Sequence, residues 1–335
     1  MKTARHDTVF HAVVLAVVTL LVSRCGSAPE DGSTVKTDLG YYGNLQVDAK
    51  FKAYKQKPTP GCKAATTSNK RVIVTGFGLF SGVDYNISGV VVSSMASETF
   101  TPSGLVTNNF VESMSASSGT THGGTITTVD SGARVVNRTM KLDGVSYDIC
   151  FITMDVIWDL AAAIITYEME AFKPHLVMMT GRGGASGIFE GGARNFATAS
   201  SGYESNGLSA PSNTPNQSYI LAAKALSAET PMTWDSKKLL AASKSLIDEI
   251  GLPMTYAPAS RPSNNYICNN VSYVVLEAAK GTAIRLAGGR IRLYPTAAPD
   301  RVIGFMHFPD QADNSRTSVG NWVKVLATTI RTAMP

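Results

Sequence analysis

The chain has 335 residues, with 30 Lys and Arg against 25 Asp and Glu for a formal net charge of +5, and 44% of its residues are hydrophobic. Through Arg71 there are 11 basic against 5 acidic residues, so the remainder carries 19 against 20 and is near neutral. A near-neutral body argues against a nucleic-acid surface, which needs a clustered basic face, and 4 cysteines with no CxxC and no H-E-x-x-H argue against a metal site, so no cofactor is expected.

Residues 1–25 open with Lys2 and Arg5, and an apolar core follows near residues 12–22. That core is too short to span a bilayer and reads as a signal peptide, so the chain is expected to be exported, whether secreted, periplasmic or envelope-anchored. Cys25, directly after the core, resembles a bacterial lipoprotein attachment cysteine, which would give membrane attachment through lipid; Arg24 is an unusual neighbour for that motif, and soluble export is the alternative. Residues 26–70 are rich in Gly, Ser, Thr, Pro and Lys without a sustained apolar period, and read as a flexible linker. The body, residues 71–335, is long enough for one well-buried domain.

Within the body, Val72–Thr75 is a short β-branched strand followed by Gly76-Phe77-Gly78. A dinucleotide fingerprint fails here, because Ser81 stands where G-x-G-x-x-G needs its last glycine. Phe77 and Phe80 in this loop read instead as the lining of a small apolar pocket, with packing of the loop onto the core as the alternative. Ser88–Glu98 reads as a helix, the stretch near 100–144 as a polar, partly β segment, and Val145–Thr153 as a strand in which Cys150 is most simply a core residue. Ile157–Phe172 is a helix with Trp158, Ala161, Ile165 and Met169 along one face, stopped by Lys173-Pro174. His175–Thr180 is then a central strand running into a Gly-rich loop. Strand, helix, strand in this rhythm implies a right-handed parallel βαβ crossover, and the fold expected is α/β, a three-layer α/β/α sandwich with a mainly parallel, doubly wound sheet. Residues 197–235 are loop-rich, and Ser236–Ile250 and Trp322–Thr332 read as helices.

A lone cysteine in PSNNYICNNVSYVVLEAAK stands out. Pro262, Ser263 and Asn264 are start signals, and Val271, Val274, Val275 and Ala278 recur at helical spacing, so Cys268 falls in the first turn of a buried helix. The free N–H groups and positive dipole end of such a turn favour a thiolate over a thiol, which is what a cysteine nucleophile needs; a core cysteine packed as a small hydrophobe is the alternative. A base must lie within its reach. His122 lies in a Ser/Thr/Gly-rich loop and His175 precedes a strand, where a turn role fits, whereas His307 ends the buried run RVIGFMHFP, stopped by Pro309. Ends of central strands are where open α/β sheets place their sites. For the third member, Glu190 in TGRGGASGIFEGGARN is a carboxylate in a Gly-rich, apolar loop that should be paired; an ion pair with Arg194 is the alternative.

Four blocks together resemble pyroglutamyl peptidase I, the cysteine pyrrolidone-carboxylate peptidases. RVIVTGFGLFSGVDYNIS looks like that family's opening strand and loop, keeping Thr75, Gly76, Phe77, Phe80, Gly82, Asn86 and Ser88 of its motif; residues 152–184 are similar to the helix and strand before its glutamate loop; SNNYICNN and GFMHFP match its cysteine and histidine blocks. The resemblance implies a cysteine aminopeptidase that removes an N-terminal pyroglutamyl residue from a peptide substrate, with Cys268 as nucleophile, His307 as base and Glu190 orienting it. It further implies ring contacts from Phe77, Phe80, Tyr266 and Ile267, and an oxyanion site at the start of the cysteine helix or in Gly183-Gly184. Relatives are often homo-tetramers, so a homo-oligomer is implied, although insertions near 100–144, 197–235 and 281–299 could block that contact. The chain departs from the pattern at Arg182, where the family has a ring-holding glutamine, and it lacks the arginines usual after the double glycine and after the glutamate. Two rivals follow: Arg182 selecting a substrate with a carboxylate, and an envelope-tethered, non-catalytic protein that keeps the fold. Cys62 and Cys150 are the cysteines left to pair; a Cys62–Cys268 bond, which would hold the enzyme off until reduced, is the alternative.

Overall fold

The computed structural model describes residues 40–56, 61–78, 85–97, 100–101, 104–105, 132–198, 217–218, 220–221, 224–225, 227–261 and 263–334. The leader with Cys25 lies outside them, as do Phe80 and His122.

The core is a seven-stranded sheet. Its strands are β1 (Lys70–Phe77), β2 (Ala133–Leu142), β3 (Val145–Met154), β4 (Leu176–Arg182), β5 (Gly187–Phe189), β6 (Met254–Tyr256) and β7 (Val302–Phe308), in the spatial order β6-β5-β7-β4-β1-β3-β2. The central strands β3, β1, β4 and β7 run parallel, and the antiparallel pairs are β2 with β3 and β7 with β5. Parallel strands covered on both faces must be apolar throughout, which is why β4, LVMMTGR, is buried from Leu176 to Gly181. β2 turns into β3 through Asp143-Gly144, both at positive φ, the conformation that favours Asp-Gly in a two-residue hairpin loop.

Helices cover both faces. α2 (Ile87–Ser97), α4 (Ser236–Ile250) and α6 (Arg316–Ala333) pack together, and α1 (Gly40–Lys55), α3 (Leu160–Phe172) and α5 (Ile267–Ala279) form the other group. This is the three-layer, doubly wound arrangement. α3 is small and apolar in its first turns, LAAAII, which are buried throughout, and Lys173 closes it in the left-handed conformation just before Pro174. α4 is capped by Asp235, whose carboxylate accepts from Lys238 N–H, and ends at Gly251 with φ 74°.

Of the stretch 26–70 expected to be a linker, the described residues 40–56 and 61–70 are instead packed on the body, and the rest lies outside the described residues. Val47, Phe51 and Tyr54 of α1 recur at helical spacing and are buried, and Phe51 and Tyr54 meet Tyr167 of α3 edge-on at 6.0 and 6.3 Å. Glu168 of α3 is 1% exposed and accepts from Tyr54 Oη at 2.5 Å and from Cys62 N–H at 2.6 Å. Further along, Asp148 of β3 accepts from the N–H groups of Ala65 and Thr66 and from Asn69 Nδ2. The Gly, Ser, Thr, Pro and Lys of the surrounding sequence mask the helical spacing of Val47, Phe51 and Tyr54, which is fixed by packing on α3. Within the stretch near 100–144, residues 133–142 are β2, and within 281–299 a small hairpin pairs Ile284–Leu286 with Ile291–Leu293.

A disulfide joins Cys62 to Cys150 across 88 residues, so Cys150 is a half-cystine of β3 rather than a plain core residue. Cys268 is free and buried, which rules out the Cys62–Cys268 bond in this structure. Closing a loop of that length restricts the unfolded chain strongly. Replacing both Cys62 and Cys150 by Ser should lower the unfolding free energy by about 2–4 kcal/mol, measured by urea unfolding beside the oxidised parent; an unchanged midpoint would mean that α1 and Glu168 hold the segment unaided.

Candidate active site

The site lies where the carboxyl ends of β4 and β7 meet the start of α5. Cys268 is the second residue of α5, and Tyr266 at the N-cap is extended and makes no side-chain cap. The first-turn N–H groups have no intrahelical acceptor, so they are donors facing the region of the cysteine. Cys268 itself is 7% exposed.

His307 stands opposite Gly181 in the β7–β4 register. A Cβ on Gly181 would come within 3.0 Å of Cys268 Sγ, and one on Gly183 within 2.9 Å of His307 Cβ. Both glycines therefore let the cysteine and the histidine close on the strand. Cys268 is the strongest raising influence on the His307 imidazole, and the ring's Nδ1 lies 2.9 Å from Glu190 Oε1. With Nδ1 turned to the carboxylate, Nε2 is the nitrogen left for the thiol. Burial depresses the imidazole, but the negative charge of Cys268, its hydrogen bond and Glu190 outweigh that and push the pKa of His307 up to about 9. The pair is thus arranged to hold a proton on the imidazole at neutral pH.

Glu190 is fully buried and held on all sides. Its N–H donates to Phe305 O of β7, and its own carbonyl accepts from Trp234 Nε1 and Ser236 Oγ, each at 2.8 Å. Gly304 leaves the space that the Trp234 ring fills. The carboxylate meets His307 and also Arg261, whose Nη2 is 2.5 Å from Oε1 and whose Nε is 3.3 Å from Oε2. Burial alone would raise the carboxyl, yet the bonds and charges of His307 and Arg261 hold it below the usual carboxylate range.

The sequence-predicted triad of Cys268, His307 and Glu190 is therefore brought together from three separate elements. The alternative partner for Glu190 is not the one observed: Arg194 faces Glu229 at 3.7 Å and lies over the Phe196 ring, and Arg261 takes its place. Sequence reasoning missed Arg261, seven residues before the cysteine, because no local pattern distinguishes it from other loop arginines. Asn269, beside the nucleophile, also escaped notice; its amide bridges Arg194 N–H, Arg194 O and Phe196 O and ties α5 to the segment 194–196.

The expected ring-contact residues fare differently. Phe77 is 2% exposed at the end of β1, paired with Met154, so it packs into the core instead of presenting an open face. Ile267 is likewise buried, while Tyr266 is half-buried and meets Trp158 edge-on at 5.8 Å. Arg182 donates to the carbonyls of Tyr85 and Asp310 and lies over the Tyr85 ring, so its guanidinium is engaged in pinning two loops. Gly183 N–H donates to Phe308 O at 2.7 Å, which removes it from any oxyanion site; Gly184, whose carbonyl accepts from Asp310 N–H, and the uncapped turn of α5 are the remaining sources of donors. His175 has the turn role expected of it, accepting from Arg71 N–H through Nδ1. Among the described residues, no three His, Cys, Asp or Glu side chains cluster as a metal ion would require.

Titration of the His307 ring by NMR should show a midpoint near pH 9, and Cys268→Ala should bring it down because the largest raising influence is gone. A midpoint near the ordinary 6.5 in the parent would contradict this geometry.

No family model and no curated protein matches the chain. Solved structures do. Pyroglutamyl peptidase I from Bacillus amyloliquefaciens is 16% identical, with 79% of this chain and 97% of that one covered and a TM-score of 0.48. Pyrrolidone carboxyl peptidase from Thermococcus litoralis is 16% identical, covering 79% and 93% with a TM-score of 0.49. A mutant pyrrolidone carboxyl peptidase from Pyrococcus furiosus is 17% identical, covering 79% and 98% with a TM-score of 0.48.

Proposed function

We propose that the chain is a cysteine aminopeptidase that removes pyroglutamyl residues from peptide N-termini. The observation that carries the reading is the convergence of Cys268, His307 and Glu190 beside Gly181, in which a buried carboxylate orients an imidazole whose other nitrogen serves a thiol at a helix start. Nucleophile, base and orienting group within hydrogen-bond reach are what covalent acyl transfer requires. The preference for a pyroglutamyl group rests on the sequence blocks around these residues.

In the reaction, Cys268 Sγ attacks the carbonyl carbon of the scissile amide and forms a tetrahedral oxyanion. N–H groups of the first turn of α5 stabilise that charge. His307 then gives its proton to the departing amine, leaving a thioester. Water attacks the thioester with His307 as base, and the carboxylic acid product leaves as Cys268 is regenerated. Glu190 keeps the ring in one tautomer throughout and favours the imidazolium that forms. The reading in which Arg182 selects a substrate carboxylate gains nothing from the geometry, because that guanidinium is bound to backbone carbonyls. Export fits the same picture: the apolar leader and the Cys62–Cys150 bond both suit an oxidising compartment.

The test is release of a fluorophore from a pyroglutamyl amide by the full chain. Cys268→Ala should abolish turnover, and Glu190→Gln should reduce kcat by about a hundred- to ten-thousand-fold, as loss of a base-orienting carboxylate does elsewhere. A folded chain with no turnover on this amide, or one in which Cys268→Ala stays active, would refute the assignment.

A further inference from the structure

Arg261 has no counterpart in the triad, and its placement is built rather than incidental. β6 pairs with β5 through Met254↔Gly187, Thr255↔Ile188 and Tyr256↔Phe189, and Ala257 N–H continues the contact to Phe189 O at 2.9 Å. Gly191, next to Glu190, has no side chain to clash with the Ala257 carbonyl, so the two segments stay in contact past the end of the sheet. The chain then turns, with Asn264 N–H donating to Arg261 O, and enters α5 at Ile267. Arg261 thus sits on the segment that delivers Cys268 while its side chain grips both oxygens of Glu190.

We propose that Arg261 is a positioning residue of the site: by holding both carboxylate oxygens it keeps Glu190 ionised and fixed toward His307 Nδ1, and it couples the glutamate loop to the segment that places Cys268. The inference rests on the reading of Cys268, His307 and Glu190 as the reactive set. A carboxylate with no exposure to water needs more than a single imidazole to remain charged. The charged and titratable groups facing Glu190 are His307 from β7 and Arg261 from the loop before α5, with Cys268 of α5 behind His307. The start of α4 contributes Ser236, and Trp234 precedes it; both are neutral donors to the backbone carbonyl of Glu190, while the Asp235 carboxylate is turned to Lys238 N–H.

Removing Arg261 should therefore raise the pH at which Glu190 is protonated, and with it the acid limit of Cys268 reactivity. The experiment uses the full chain with its disulfide intact and follows alkylation of Cys268 by iodoacetamide from pH 4 to 8, together with turnover of the pyroglutamyl amide. In Arg261→Met the acid limb should move up by roughly one pH unit or more, as loss of an adjacent opposite charge does. Turnover should fall about 10- to 100-fold, mostly in kcat. Arg261→Lys should bring the acid limb back, since charge is restored, yet recover only part of kcat, since a lysine cannot grip both oxygens. An acid limb that stays in place in a folded Arg261→Met or Arg261→Gln variant would overturn the proposal and leave Arg261 a purely structural ion pair. Alkylation reads Arg261 without any substrate, so absence of pyroglutamyl turnover in the parent would count against the peptidase assignment alone.

Discussion

Everything at the site depends on keeping one carboxylate charged out of water. Glu190 has no solvent exposure, and a lone carboxylate there would take up a proton rather than remain an anion. The chain surrounds it with His307 and Arg261 at the carboxylate and with Trp234, Ser236 and Phe305 at the backbone. Those partners come from three segments, so satisfying this single group brings β7, the start of α4, and the approach to α5 to one place. The closeness of approach explains the glycines. Gly181 and Gly183 make room for Cys268 and His307, Gly304 for Trp234, and Gly191 for the Ala257 carbonyl.

The wider fold supplies the rigidity that such a cluster needs. Catalytic geometry must be held closely by side chains that cannot relax, and here the triad is carried by a central parallel strand, a tightly bonded loop and the first turn of a helix. The layer of α1, α3 and α5 carries a second anchoring system, in which Glu168 and the Cys62–Cys150 bond fasten Tyr54 and Cys62 to α3 and β3. One free cysteine among the described residues remains beside the histidine, and the other two described cysteines are joined to each other.

Much of this was legible in the linear chain. The rhythm of β1, α3 and β4 announced a parallel sheet, since continuous apolar runs separated by a helical period can satisfy their backbones only that way. Cys268, His307 and Glu190 were visible for a shared reason: each is a chemically unusual residue in a local setting whose physics is itself local, a helix start, a strand end and a Gly-rich loop. The described stretches 40–56 and 61–70 depart from the linker reading of 26–70 because the apolar side chains of α1 gain their stability by packing on α3, a surface that composition cannot see.

What the sequence determined by itself was the set of groups with chemistry to offer and the elements that carry them, because helical and strand periods and turn chemistry are properties of neighbouring residues. What only the tertiary structure decided was partnership. Glu190 pairs with Arg261 and not with the nearby Arg194, Arg182 turns to the carbonyls of Tyr85 and Asp310, and Phe77 goes into the core. Partners of this kind are selected by which backbones approach closely in three dimensions, and that depends on strand order and on glycines placed far apart along the chain.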